Sequence, residues 1–275
     1  MNGSAAGQKT IRIASAGHAF FAVIMIGLGI QGLITRDFAP IWPPVPDGVP
    51  ARGALIALCA LVPLATGVGL LVRRTAAAAA RVLLGYLVLW LLFVRLPLLV
   101  TAFAVNTWWS TCQISVMVAA AWVLYTWFAT DRDRQRVGSL AGEAGVRIAR
   151  ALYGAALIPF GLAHFLYLEN TAPLVPHWLG WPVGWSYLTG ATFIAAGLAV
   201  LSGVWARLAA ALVALQMGLF TLLIWVPIVA AGANESQWSE FVVSWALIAA
   251  GWVVADSYRG IPWLAVGSRR AQRLG

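Results

Sequence analysis

Residues 82–104, VLLGYLVLWLLFVRLPLLVTAFA, contain one charged side chain, that of Arg95. An apolar run of this length exceeds the roughly 18 residues that mark a membrane-spanning helix. The run lacks the alternation of apolar and polar residues that is typical of a barrel strand, so a helix is the spanning structure that satisfies its backbone hydrogen bonds. The stretch therefore predicts an all-α membrane protein.

Seven further apolar runs extend this interpretation to the whole chain. Hydrophobic residues make up 61% of the sequence and charged residues 10%, against about 25% charged residues in a soluble domain. The predicted transmembrane helices are at 14–34, 53–72, 82–104, 111–129, 151–168, 184–203, 208–231 and 239–255. The expected fold is thus a polytopic bundle of eight helices.

The two halves of the chain resemble each other. Residues 39–43 (APIWP) align with residues 172–176 (APLVP), and at the same spacing Gln31 falls on His164. Such self-similarity is typical of an internal duplication. We predict two tandem four-helix repeats in parallel topology. The predicted divisions are a first repeat with an N-terminal tail (1–130), a charged cytoplasmic linker (131–150), a second repeat (151–260) and a basic C-terminal tail (261–275).

The basic residues predict the orientation. Of the 18 Lys and Arg residues, only Arg36 and Arg52 fall in loops on one side, and Arg95 lies within a run. The positive-inside rule therefore predicts cytoplasmic N- and C-termini, with the two proline-containing loops outside as ordered lids. The net charge of +9 does not indicate a nucleic-acid partner, because the basic residues are distributed among the loops of a protein whose partner is the lipid bilayer.

Four segments of the second half resemble the DoxX family of small four-helix bacterial membrane proteins. They are GLAHF (161–165), PxxPxWL (173–179), YLTG (187–190) and GL (197–198). The resemblance covers about 147–257; the first half is similar through its proline loop and second run, with Gln31 where the histidine would stand. It implies a bacterial cytoplasmic membrane protein associated with quinone-linked or thiol redox chemistry, and a soluble oxidoreductase as partner at the cytoplasmic face.

Four polar residues toward the predicted outer side are the candidate binding site: Arg95, His164, Gln31 and Glu169. An ionisable residue within a spanning helix is costly and marks a functional position, although Arg95 can also snorkel to the headgroups. His164 is either a packing residue with a satisfied ring or a ligand-binding residue. Together the four could hydrogen-bond a quinone or a small oxyanion, since arginine supplies a planar fork of donors.

Other cofactors fit the sequence less well. Haem is not expected, because His18 and His164 belong near opposite ends of their helices and cannot serve as paired axial ligands. Cys59 and Cys112 do not form a Cys-x-x-Cys motif, and they are either two core thiols or a disulfide. No metal-ligand spacing is present, and the sequence assigns no catalytic residue.

Two function classes remain open. The first is a DoxX-like membrane subunit of a redox system that binds quinone or positions a soluble oxidoreductase. The second is a small-molecule transporter or lipid-binding membrane protein, for which an internal duplication and an intramembrane arginine are also typical. Substrate-dependent uptake into vesicles by a quinone-free protein would favour the second class.

Overall fold

The computed structural model describes residues 13–46, 48–102 and 104–267, and it leaves out the side chains of residues 105 and 106. The terminal residues 1–12 and 268–275, which include part of the C-terminal tail predicted at 261–275, lie outside this part of the chain. In the described residues, eight helices are long and apolar enough to cross a membrane, which confirms that prediction. They are α1 (Ala16–Thr35), α2 (Arg52–Leu71), α3 (Ala76–Thr101), α4 (Val105–Phe128), α5 (Glu143–Leu166), α6 (Pro182–Ser202), α7 (Ala206–Ala230) and α8 (Glu235–Asp256).

Four helices, α3, α4, α5 and α8, begin four to eight residues earlier than the sequence predicts. Helix α3 begins at Ala76 because the alanine run that precedes Arg81 has high helix propensity. Helix α5 begins at Glu143, inside the segment predicted to be a linker. The rest of that segment forms a short helix, Asp131–Val137, and a 3-10 turn, Gly138–Ala141, so it is ordered structure.

Helices α3 and α7 each contain a π-helical turn, at Leu91–Arg95 and at Thr221–Trp225. In both cases a proline, Pro97 or Pro227, occupies the second position of the helix that follows. Proline lacks an N–H and its ring clashes with the carbonyl four residues earlier, and a wider turn relieves both problems. The two helices therefore share a feature whose position is fixed by the sequence.

Helix α4 is the centre of the bundle. It packs against α3, α5 and α8. In its most apolar stretch of 18 residues, 83% is buried inside the protein. Helix α8 packs in turn against α1, α4 and α7. Because α1 contacts α8 and α5 contacts α4, each half of the chain is joined to the other through its first and last helices.

Small residues let two helix pairs approach closely. A Cβ added at Gly29 of α1 would lie 2.6 Å from the carbonyl oxygen of Ala60 in α2. A Cβ added at Gly161 of α5 would lie 2.5 Å from the carbonyl oxygen of Gly190 in α6. Close backbone contact of this kind gives membrane helices the packing that the hydrophobic effect does not supply there.

Candidate functional site

A large cavity lies between helices α5, α6, α7 and α8, and α4 forms its back wall. Its volume is about 1980 Å³, and its lining is mostly apolar. It extends from Pro43 and Glu169, at the end of the bundle that carries the proline loops, to Trp205 at the opposite end of α7. We call these ends the proline-loop end and the arginine end. A cavity of this length has room for a headgroup and a long apolar tail.

Helix α6 contributes a polar face to the cavity. Ser186, Thr189 and Thr192 lie three residues apart, which places them on one side of the helix. Ser186 is 3% exposed, and its hydroxyl has no hydrogen-bond partner among the described residues. A buried polar group without a partner costs roughly 1–3 kcal/mol. Because the oxygen itself has almost no exposed surface, a ligand in the cavity would relieve this cost after the Ser186 side chain rotates toward it.

Helix α7 contributes a second buried polar group. The Thr192 hydroxyl lies 2.6 Å from Oε1 of Gln216, and this contact orients the amide. The other end of the amide, Nε2, is buried and has no partner in the described part of the protein. Because Ser186 and Thr192 are six residues apart on α6, the two unpartnered groups are separated by about 9 Å along the helix axis.

His164 lies between these two levels. Its Cβ is next to Gly190 of α6, and its ring packs against Phe193 and Trp109 at centroid distances of 5.6 and 6.4 Å. The ring Nδ1 donates a hydrogen bond to the carbonyl oxygen of Phe160 at 2.8 Å, since a carbonyl can only accept. In the neutral ring, Nε2 is therefore a hydrogen-bond acceptor beside the cavity.

The charge of the cavity lining is one-sided. Glu169, Glu235 and Glu240 border it at the proline-loop end, and none of the described residues that line it is Lys or Arg. An anionic headgroup would meet like charges there and no compensating cation. The lining thus favours a ligand with a neutral or cationic headgroup.

Arg95 is held by the backbone of the first proline loop. It is 1% exposed, and its guanidinium donates to four consecutive backbone carbonyls, those of Ile41, Trp42, Pro43 and Pro44. The bond to Pro44 is 2.8 Å long and the bond to Pro43 is 2.6 Å long. Both prolines line the cavity, whereas Arg95 itself does not. Arg95 therefore does not face the cavity, but it holds the loop whose prolines line it.

Gln31 is not at the position in α1 that His164 occupies in α5. In α1 it is Gly32 that faces the Cβ of Ala60 in α2, just as in α5 the Cβ of His164 faces Gly190 of α6. Helices α1 and α5 thus correspond at a spacing one residue shorter than that of the proline loops, and one residue rotates a side chain by about 100° around a helix. Gln31 is half-buried and does not line the cavity. Of the four predicted residues, the structure brings His164 and Glu169 to one cavity, and a site shared by all four stays a prediction.

The sequence interpretation missed Ser186, Gln216 and Glu240. Glu240 falls within the predicted eighth helix and carried the same signal as Arg95, an ionisable residue in an apolar run. Gln216 is a single amide in the seventh run, and Ser186 is close to the start of the sixth. For those two, no local pattern separates a cavity residue from a residue that packs against another helix.

The described residues contain no group of three or more His, Cys, Asp or Glu side chains that could hold a metal ion. Cys59 and Cys112 are both free thiols, and the Tyr86 hydroxyl donates to the sulfur of Cys59 at 3.1 Å. Of the two alternatives for the cysteines, the structure thus shows separate thiols.

The fold and the cavity define a multi-pass helical membrane protein with a large intramembrane cavity. No family model, no curated protein and no solved structure matches the chain. The resemblance to the DoxX family therefore rests on the four sequence segments alone.

Proposed function

We propose that this protein binds a neutral, quinone-like membrane amphiphile in the cavity between α5 and α8. The observation that supports this best is the pair of buried groups, the Ser186 hydroxyl and the Gln216 amide, in the walls of the cavity. Neither has a partner among the described residues, and none of the described lining residues is Lys or Arg. Two donors at different depths suit two carbonyl oxygens on opposite sides of a ring. The absence of a lining cation argues against a phospholipid phosphate.

Each part of the cavity has a role in this proposal. Ser186 and Gln216 donate to the headgroup, and Nε2 of His164 accepts from a hydroxyl of the reduced form. Phe193 and Phe220 offer ring surfaces against which a flat headgroup packs. The apolar walls toward Trp205 hold the tail, in agreement with the mostly apolar lining of ligand sites.

The proposal includes the redox interpretation of the DoxX resemblance. The protein would serve a redox system by binding quinone and by positioning a soluble oxidoreductase at the arginine end. The exposed arginines of the Asp131–Val137 helix give that end a basic surface. Docking of an acidic protein face there is the corresponding expectation.

We further infer that the eight helices are two tandem four-helix repeats in parallel topology, with both termini on the cytoplasmic side of a bacterial cytoplasmic membrane. The distribution of Lys and Arg supports the orientation. The close helix crossings and the two π turns, which recur 130 residues apart, support the duplication. Cysteine labelling near Trp178 from the outside tests the orientation, and labelling from the cytoplasmic side alone would overturn it.

Binding is tested with purified protein in detergent. Extraction should yield bound quinone, and a long-chain quinone added to the emptied protein should quench tryptophan fluorescence, because Trp109, Trp185 and Trp225 line the cavity. Gln216→Leu and Ser186→Ala should each weaken binding by about tenfold, the loss of one hydrogen bond in a buried site. The control is Leu222→Ala on the lipid-facing side of α7, which should bind as the parent does.

A lipid-binding or transport function is the second candidate. The observation that favours it is the length of the cavity, which extends almost through the bundle to Trp205. Protein that neither contains nor binds quinone, and that takes up a neutral or cationic amphiphile into vesicles, would replace the first proposal with this one.

A further inference from the structure

The first half of the chain fills the space that the second half leaves open. Trp42, in the first proline loop, is fully buried. Its indole packs in T-shaped contact against Tyr86 and Trp90 of α3, at centroid distances of 5.3 and 5.4 Å. The four carbonyls of residues 41–44 are tied to Arg95, so the loop is fixed in this position.

The π turns give a register that relates this indole to the cavity. Tyr86 and Trp90 lie five residues and one residue before the π turn of α3. The residues in the same two places before the π turn of α7 are Gln216 and Phe220, and both line the cavity. The surface that carries the indole in one half therefore corresponds to an open cavity wall in the other.

Tyr86 and Gln216 each contact a polar side chain of the preceding helix. In the first half the Tyr86 hydroxyl donates to the sulfur of Cys59 in α2, so this hydroxyl has a hydrogen-bond partner without a ligand. In the second half Gln216 contacts Thr192 of α6 and keeps one end of its amide unpartnered. At this place the second half therefore has an unpartnered amide, whereas the matching Tyr86 hydroxyl has a partner; the buried Nε1 atoms of Trp42 and Trp90 nearby have none among the described residues.

From these correspondences we infer that the headgroup subsite beside Gln216 and Phe220 is shaped for a planar bicyclic ring, and that Trp42 is the protein's own occupant of the matching place. The inference rests on the proposed function and names its ligand class: a lipid-soluble quinone whose headgroup is a naphthoquinone. The second ring of that headgroup packs on Phe220 as the indole of Trp42 packs on Trp90. A single-ring quinone would leave this surface uncovered.

The test compares two quinones that carry the same isoprenoid tail, one with a naphthoquinone and one with a benzoquinone headgroup. Their dissociation constants are measured on the parent protein by quenching of tryptophan fluorescence. The naphthoquinone should bind at least about tenfold more tightly, since the second ring adds both buried area and an aromatic contact. Equal affinities, or tighter binding of the benzoquinone, would overturn the inference and leave the proposed function intact. If neither quinone binds, the proposed function has failed, and with it the inference.

A variant of Phe220 then tests whether the preference for naphthoquinone comes from the α7 wall of the cavity. Phe220→Leu should weaken naphthoquinone binding by about fivefold while benzoquinone affinity changes by less than about twofold. Leu222→Ala, on the lipid-facing side of the same helix, is the matched control and should leave both affinities unchanged. Equal weakening of both quinones by Phe220→Leu would contradict a subsite for the second ring. The affinity ratio of the parent protein decides the inference even if this variant does not fold.

Discussion

Both proline loops border the cavity, but the first is folded into the protein and the second lies on the outside. Trp42 of the first loop is fully buried, and Trp178 of the second is 71% exposed. This difference in loop burial goes with a difference in sequence at one position of the π turns. The last residue of the turn is Arg95 in α3 and Trp225 in α7. An arginine at this place ties the loop inward, and a tryptophan leaves it outside.

The comparison explains how a charge is accommodated in an apolar helix. Arg95 has no carboxylate partner among the described residues; its Nη1 and Nη2 donate instead to the carbonyls of residues 41–44, while its Nε is buried without a partner there. Of these residues, Ile41 and Trp42 are buried, and without Arg95 their carbonyls would lose this donor, at a cost that offsets part of the cost of burying the arginine. The arginine and the loop therefore need each other, and neither would be stable in this place alone.

Removal of Arg95 should have the largest effect on stability. Arg95→Leu leaves the carbonyls of residues 41–44 without their donor, and a buried acceptor without a partner costs roughly 1–3 kcal/mol. We expect a loss of about 5 kcal/mol or more, seen as a thermal unfolding midpoint about 10 °C or more lower. The measurement is thermal unfolding in detergent, followed by tryptophan fluorescence.

Trp225→Leu is the matched control for this variant. Trp225 is half-buried at the cavity wall and holds no loop, so its replacement should cost less than about 1.5 kcal/mol, as a hydrophobic exchange does. Comparable midpoints for Arg95→Leu and the parent would mean that Arg95 does not hold the loop, and the comparison of the two halves would lose its cause.

Replacement of the buried tryptophan should have a smaller effect. Trp42→Ala opens a cavity against Tyr86 and Trp90, for which large-to-small substitutions of an aromatic residue cost about 3–5 kcal/mol. We expect the lower end of this range, because the indole Nε1 of Trp42 is buried without a partner and its loss is favourable. Chemical unfolding with urea measures the difference.

Trp178→Ala provides the contrast in the second loop. With 71% of its side chain exposed, Trp178 should contribute within about 0.5 kcal/mol, as surface positions usually do. A similar cost for the two variants would show that the loops are equally embedded in solution.

Much of this fold follows from the sequence because hydrophobic run length is a local property. Eight runs predicted eight helices, and a residue such as Pro97 or Pro227 marks a place where a regular helix must widen. The cavity depends on which residue fills the space between helices, which is a long-range property. Nothing near Trp42 in the sequence shows that it packs on α3. The sequence likewise leaves open whether Arg95 has a ligand role or a structural one, because its carbonyl partners are far from it in the chain.

The smallest expected effect concerns the arginine end, where the two halves also differ. Arg81 of α3 forms an ion pair with Asp133 at 2.8 Å, after the end of α4. Arg207 of α7 instead donates to the carbonyl oxygen of Ile261 and lies 4.0 Å from the ring centroid of Trp263. The hydrogen bonds from Arg81, with those from Thr130, hold the pKa of Asp133 well below its usual range.

Only the first of these contacts should depend on pH. A depressed pKa in the folded state stabilises the protein above the unfolded value of about 3.9, and this contribution is lost as the pH falls further. Asp133→Asn should therefore lower stability by about 1 kcal/mol at pH 7, since Arg81 is 47% exposed and the pair is screened by water, and the deficit should shrink as the pH falls below about 5. Arg207→Gln should cause a loss that is constant over the same range, because its partners do not titrate. Unfolding midpoints of both variants and the parent, measured from pH 7 to pH 3, test the difference. A deficit of Asp133→Asn that stays constant over this range would show that helix capping by Asp133, and not its charge, is what distinguishes this end of the first half.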